Sequence, residues 1–356
     1  MKPERHLAVT LLAIAIAILL LQFMKSVLIP FVVGGLLFYA LDPAVDWLQG
    51  KRVPRAIGAA VVLALVVSGG AILAYSLQGQ ALTVVDKLPT GARKLAVLLR
   101  KTPGAAPGAL EKVQQAADVL QAGGQQAKTD PGVMRVQVQD EAFRASTFVW
   151  SSSIALLTGV NSLMMVLFLT YFMLLSDQLF KKKLVEIVGP LSQKKITVLM
   201  LEDIAGQIER FLMIQILTSA LVALFTWAVL WSMGLQQAAL WGLLAGIFNS
   251  IPYYGPLLVT VGLSIVGFLQ FGTIGMTAAV AGVSLLITTL EGALLTPWLI
   301  GRAASMNHVA VFAGLIFWSW AWGIWGMLLA VPMMMVLKVI CDHVESLQPV
   351  AHLLGE

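Results

Sequence analysis

The chain has 356 residues, 59% of them hydrophobic and 12% charged, with a formal net charge of +5. Ordinary soluble domains carry about 25% charged residues, so this composition excludes a soluble globule. A single cysteine, Cys341, excludes an intrachain disulfide and a thiolate metal cluster, and the basic residues gather beside apolar runs, which fits membrane topology and not nucleic-acid binding.

Residues 7–24 form the first expected span. Their basic head resembles a signal peptide, but the run is long, lacks an A-x-A-like exit and leads straight into further apolar segments, so it reads as a retained span. Span two, about 27–41, contains Pro30 and the Gly34-Gly35 pair and ends at "LDPAVDWL"; span three covers about 56–77. Lys2 and Arg5 precede the first span, and Lys51, Arg52 and Arg55 separate the second from the third. The positive-inside rule therefore puts the N-terminus in the cytoplasm.

Residues 78–146 are the one sizeable polar stretch, and this topology makes them extracytoplasmic. Leu110, Val113, Ala117 and Leu120 follow the spacing of a packed helix seam, "TPGAAPG" and "AGGQQAKTDPG" punctuate it, and "MRVQVQ" alternates like a short strand. Structural support or assembly is the expected role. Span four, about 147–175, carries Asn161, expected as helix–helix glue. It meets "DQLFKKKLVEIVGPLSQKK", whose five lysines mark a cytoplasmic face and suit anionic lipid as a partner. Residues 184–209 are amphipathic and read as a helix along the membrane surface or against neighbouring helices.

Span five, about 211–233, is followed by two apolar arms, 236–250 and 255–270, each too short for a comfortable crossing. After a span at about 274–297 and the polar "IGRAASMNH" come two more short arms, 309–322 and 325–340, meeting at Gly323 and Gly326. Two re-entrant hairpins satisfy the charge rule, and so would two full crossings in place of each. The expected fold is an all-α polytopic membrane protein of about eight transmembrane segments, two hairpins in the C-terminal half included, plus a mostly helical extracytoplasmic segment. The expected divisions are 1–77, 78–146, 147–210, a transport core at 211–340, and a cytoplasmic tail at 341–356.

From Phe211 to Leu337 only Glu291 and Arg302 are charged, yet "NSIPYYGP" interrupts this oily stretch with Asn249, Ser250, Pro252, Tyr253, Tyr254, Gly255 and Pro256. Non-helical backbone at membrane depth must be buried in protein or face water. The two prolines remove two donors, which leaves carbonyls to join the polar side chains as free groups. Short or interrupted apolar segments of this kind point to a transporter's binding site; a plain turn at the outer surface is the alternative. Glu291 has Thr288, Thr289 and Thr296 close in sequence, with Pro297 breaking its helix and Arg302 three turns on. An acid at bilayer depth costs about 2.5–3.5 kcal/mol, so it must pair, find water or hold a proton. The alternative is a structural carboxyl, capped by the threonines or paired with Arg302. His308 reads as an interfacial bystander, and Trp318, Trp320, Trp322 and Trp325 as an aromatic belt or the surround of a hairpin tip. No P-loop, H-E-x-x-H or G-x-S-x-G is present, so ATP-driven transport by this chain alone, metalloprotease chemistry and serine hydrolysis lack support.

Four ordered segments carry a resemblance. "VLIPFVVGGLLFYALDPAVDWL", "MGLQQAALWGLLAGIFNSIPYYGPLL", "LEGALLTPWLIGR" and "WGIWGMLLAVPMMMVLKVI" are similar to signatures of the autoinducer-2 exporter family, also described as PerM-type permeases. The chain departs from the family at "FLMIQ", where Ile214 replaces a usual glycine, and at His308, where a proline is common. The resemblance implies a homo-oligomeric, pentameric transporter of the bacterial inner membrane, with both termini cytoplasmic and two hairpin-containing halves that shift together. It links members to export of autoinducer-2 and, in some, to Na⁺(Li⁺)/H⁺ antiport. The expected function is secondary export of a small polar solute, with proton coupling open and no cofactor. Asn249, Ser250, Pro252, Tyr253, Tyr254, Gly255, Pro256, Thr288, Thr289, Glu291, Pro297 and Arg302 are the expected substrate- or ion-binding residues. Cation/proton antiport and a non-transporting scaffold are the rivals.

Overall fold

The computed structural model describes residues 3–101, 158–176, 191–300, 306–344 and 347–355, and these are almost wholly helical. In chain order the helices are α1 (Pro3–Phe23), α2 (Lys25–Gly50), α3 (Arg55–Lys101), α4 (Thr158–Ser176), α5 (Leu191–Ser232), α6 (Ala238–Phe248), α7 (Tyr254–Phe271), α8 (Ile274–Leu290), a π-helical turn (Glu291–Leu295), α9 (Thr296–Ile300), α10 (His308–Trp322), α11 (Ile324–His343) and α12 (Gln348–Leu354). Among the described residues, seven helices are long and apolar enough to cross a membrane.

Two lengths differ from the sequence expectation. α3 continues past the third span to Lys101, and α5 joins the amphipathic stretch from Leu191 onward to span five in one helix of 42 residues. Lysine, glutamate and glutamine are good helix formers, so a drop in hydropathy marks a change of surroundings and not a helix end. The seam at 110–120, "MRVQVQ", residues 184–190 and Arg302 lie outside the described residues. Asn161 is exposed on α4.

The hairpins are asymmetric. α6 has 11 residues and α7 has 18; α10 has 15 and α11 has 20. At about 1.5 Å per residue α6 reaches about 16 Å, roughly half the hydrocarbon thickness, whereas α7 and α11 are long enough to cross. Each hairpin therefore pairs one short arm with one long arm, in place of the expected two short ones.

The chain forms two compact units, each drawn from separated stretches. The first is Met1–Ser68, Ser146–Ile216 and Pro297–Glu356; the second is Gly69–Ala145 and Leu217–Thr296.

In the first unit, α2, the start of α3 and α4 share a core of Phe38, Val45, Ala59, Val62, Leu63 and Leu174. α2 and α4 approach closely at Gly34. A Cβ there would lie 3.0 Å from Leu169 Cδ2, and the Thr170 hydroxyl donates to the Gly34 carbonyl at 3.1 Å. Small residues of this kind let membrane helices bring their backbones together. Arg55 ties the three helices. Its guanidinium donates to Asp42, to Asp46 at 2.6 Å and to Gln49 at 3.1 Å on α2, and its Nε donates to the Leu174 carbonyl of α4 at 2.6 Å. Only a planar fork can serve these directions together. Arg55→Met is expected to destabilise the protein by about 1–3 kcal/mol, and Arg55→Lys to recover only part of it, as read from thermal loss of helical circular dichroism.

The same unit holds the hairpin of α10 and α11. Trp318 and Trp322 are buried, whereas Trp320 and Trp325 are exposed, so only half of the expected belt faces outward. The Trp322 indole donates to the Leu21 carbonyl of α1 at 3.0 Å. The short helix α12 packs on α11 and turns back, where the Asn307 amide donates to the Leu354 carbonyl at 3.0 Å and Met306 bridges Gly355.

The second unit packs α5 from Leu217 onward, α6, α7 and α8 around Val222, Leu230, Trp241, Ala245, Val259, Leu263 and Val280. α6 lies backbone-close on α5 through Gly242 and Gly246. A Cβ on Gly242 would stand 2.7 Å from the Ala223 carbonyl oxygen, and one on Gly246 would stand 2.6 Å from that of Ser219. This is the small-xxx-small spacing by which apolar helices associate without a hydrophobic driving force. Gln80 of α3 accepts from the Leu240 amide at 3.2 Å and secures the start of α6.

Candidate functional site

The octapeptide forms the tip of the first hairpin. α6 ends at Phe248, with Asn249 as its C-cap, and α7 begins at Tyr254. Between them the chain makes a tight turn centred on Tyr253, with φ 64° and ψ −51°, closed by the Tyr254 amide donating to the Pro252 carbonyl at 2.7 Å. This is the rare γ-turn, and it is strained for a residue with a Cβ. Strain of about 1–3 kcal/mol at such a position persists only where the surroundings enforce it.

The enforcement comes from both sides. Ile251 is 2% exposed and anchors the turn, and Gly255 is pressed against α6 so closely that a Cβ would overlap the Phe248 carbonyl oxygen. Asn249, Ser250, Pro252 and Pro256 are half-buried, while Tyr253 and Tyr254 are exposed. The backbone corrects one expectation. The carbonyls that the prolines were to leave free are taken: Phe248 O accepts from the Ile251 amide at 2.9 Å, and Pro252 O from Tyr254. Tight turns reuse the acceptors that a missing proline N–H vacates.

Glu291 opens the π-helical turn. The Thr296 amide donates to the Glu291 carbonyl, five residues back, and the Thr296 hydroxyl donates to Glu291 Oε1 at 2.6 Å. Single π turns inside α-helices occur frequently at functional sites. The other threonines serve differently. Thr288 returns its hydroxyl to the Ser284 carbonyl at 3.0 Å, and Thr289 is exposed. Pro297 lies in α9, just beyond the π turn.

The α7–α8 packing relates these two features. Gly267 faces Thr277 and Val280, and the buried hydroxyls of Thr260 and Ser284 meet at 3.4 Å, which sets the antiparallel register. Seven residues make about two helical turns. From Ser284, the steps to Thr288 and Glu291 stay on the α8 face that meets α7; from Thr260, the matching steps lead to Pro256 and Tyr253. Glu291 thus stands level with the strained tip, at one end of a hydroxyl-lined seam of Thr260, Ser264, Ser284 and Thr288. The sequence singles out Thr288 and the two ends of this seam, but not Thr260, Ser264 or Ser284. Their signal was a four-residue spacing of hydroxyls, Thr260–Ser264 and Ser284–Thr288, in facing helices.

Groups of His, Cys, Asp and Glu that could hold a metal ion are absent among the described residues. The site therefore offers one carboxyl, hydroxyls, an amide and two phenols: hydrogen-bonding partners for a polar, uncharged or cationic guest.

Known proteins of the same build give the frame. The chain is 25% identical to the AI-2 transport protein TqsA of Escherichia coli over 94% of this chain and 91% of the relative. It is 26% identical to YrrI of Bacillus subtilis over 90% and 87%, and 25% identical to PerM of Escherichia coli over 94% and 92%. The model of the AI-2E family transporter matches residues 7–346, and with its apolar helices and hairpins the chain belongs to that family of multi-pass membrane transporters.

Proposed function

We propose that this transporter is a secondary exporter of a small polar solute, that the seam between α7 and α8 borders its route, and that Glu291 carries a proton or ligates the guest. The reading is supported by the α7–α8 register, along which Glu291, the only carboxyl between Phe211 and Leu337, comes level with a strained, proline-bounded turn. A carboxyl in this setting is a functional group by default, because an apolar side chain would cost less there. The π turn supports the same reading: it gives Glu291 a hydroxyl partner that either protonation state can keep, since a carboxylate and a carboxylic acid both accept a hydrogen bond.

TqsA bears the name AI-2 transport protein, and by that likeness autoinducer-2 is the cargo to test first. The charge distribution of the sequence supports cytoplasmic termini in a bacterial inner membrane, and the family resemblance supports a pentamer. The test is efflux of preloaded autoinducer-2 from proteoliposomes with and without an imposed proton gradient. Efflux above that of protein-free liposomes, accelerated by the gradient, is expected. Efflux equal to that of protein-free liposomes under both conditions would discard the cargo, and gradient-independent efflux would discard the coupling.

A further inference from the structure

Buried polar atoms in folded proteins nearly always have a hydrogen-bond partner, and each exception calls for a reason. Three buried side-chain atoms among the described residues have none, and two of them, Thr226 Oγ1 and Trp241 Nε1, fall in the second unit. Both residues are deeply enclosed, Thr226 at 1% exposure and Trp241 at 9%.

They also lie at one level of the α5–α6 packing. Thr218, Val222, Thr226 and Leu230 recur every four residues and present one buried face of α5. Val222 and Leu230, one turn to either side of Thr226, sit in the same apolar cluster as Trp241. Gly242, next to Trp241, is in close contact with Ala223 and Trp227 of the same α5 turn. The ring of Trp241 lies on Gly262 of α7, where a Cβ would collide with it. The indole ring is thus pressed onto α7, and its N–H is buried away from solvent.

Thr226 departs from the habit of hydroxyls elsewhere in the chain. Thr83, Thr170, Ser264, Thr277 and Thr288 each donate to the carbonyl four residues back in their own helix. Thr226 does not, so its hydroxyl stands available to something other than its own backbone. An indole N–H can only donate, whereas a hydroxyl can do either. A partner that satisfies both must accept from Trp241 and exchange a hydrogen bond with Thr226, and it must be small enough for a close-packed layer.

We propose that Thr226 and Trp241 hold a single internal water molecule between α5, α6 and α7. Internal waters serve buried polar groups in this way and are costly to remove. The water fixes the short arm α6, only 11 residues long, against its neighbours, and through it the strained tip at residues 249–256. This inference concerns the anchoring of the hairpin and holds whether or not the seam between α7 and α8 carries a solute.

A double-mutant cycle tests it. Wild type, Thr226→Val, Trp241→Phe and the double variant are purified in the full chain, and thermal unfolding is followed by helical circular dichroism. Valine keeps the shape of threonine and removes only the hydroxyl. With the water in place, Thr226→Val lowers the midpoint by about 2 °C or more, and the double variant loses clearly less than the two single shifts together, because both variants discard the same molecule. If Thr226→Val raises the midpoint or leaves it unchanged, the hydroxyl is dry and the proposal fails. Additive shifts mean two independent partners, and the shared water fails equally. Should Trp241→Phe give no folded protein, the sign of the Thr226→Val shift alone decides between a hydrated and a dry hydroxyl.

Discussion

Gly255→Ala is expected to destabilise the first hairpin by about 3 kcal/mol and to abolish transport. The single added carbon would fall onto the Phe248 carbonyl oxygen, which is backbone and cannot rotate away. α7 would have to retreat from α6 at the point where the chain turns, and the strained conformation at Tyr253 would lose the contact that enforces it. The second hairpin makes an independent check. Gly326 of α11 is pressed in the same manner onto the Trp318 carbonyl oxygen of α10, so Gly326→Ala should act comparably in the first unit. Gly282, on an open part of α8 with no atom near its would-be Cβ, is the control, and Gly282→Ala should be neutral or slightly stabilising. Thermal midpoints of the three variants read the comparison. Equal midpoints for Gly255→Ala and Gly282→Ala would show that the hairpin yields where the packing says it cannot.

The second large effect concerns Glu291. Glu291→Gln keeps the size of the side chain and an oxygen that accepts from Thr296, so the π turn should survive and the thermal midpoint should stay close to that of wild type. Transport should fall at least about tenfold, because glutamine has no proton to exchange. Thr296→Val separates the carboxyl from its support: it removes the 2.6 Å hydrogen bond but leaves the carboxyl in place, and partial transport is expected. Efflux from proteoliposomes at several pH values, beside melting curves for each variant, distinguishes loss of chemistry from loss of fold. Wild-type rates in Glu291→Gln would take the carboxyl out of the mechanism.

Which parts of this arrangement could be read beforehand follows from the physics of each signal. Pro252 announces a break because it cannot continue a helix, and the break lies there; Gly255 and Pro256 stand in the first turn of α7, where proline is tolerated. The fate of the displaced carbonyls was not legible. It depends on the turn geometry that Tyr253 adopts, which no composition signal encodes for a non-glycine residue. Glu291 stood out as the lone acid of an apolar stretch, but its partner did not. On an ordinary helix, residues three and four apart are neighbours, and Thr296, five apart, comes into reach only because the helix widens to a π turn. Helix ends beside polar sequence were misjudged for a related reason: "LEDIAGQIER" lowers hydropathy without containing anything that stops a helix, so α5 runs through it. Trp318 and Trp322 resemble interfacial anchors, yet both are buried, and the Trp322 indole finds a partner inside in the Leu21 carbonyl of α1.

The return of α12 onto residues 306 and 307 has a practical corollary. Because Leu354 and Gly355 are bonded to the start of the second hairpin, an affinity handle or fluorescent reporter fused directly behind them would be built against that junction. The same fusion joined behind a long flexible spacer would spare it, and a loss of activity confined to the short fusion would be a steric artefact of labelling.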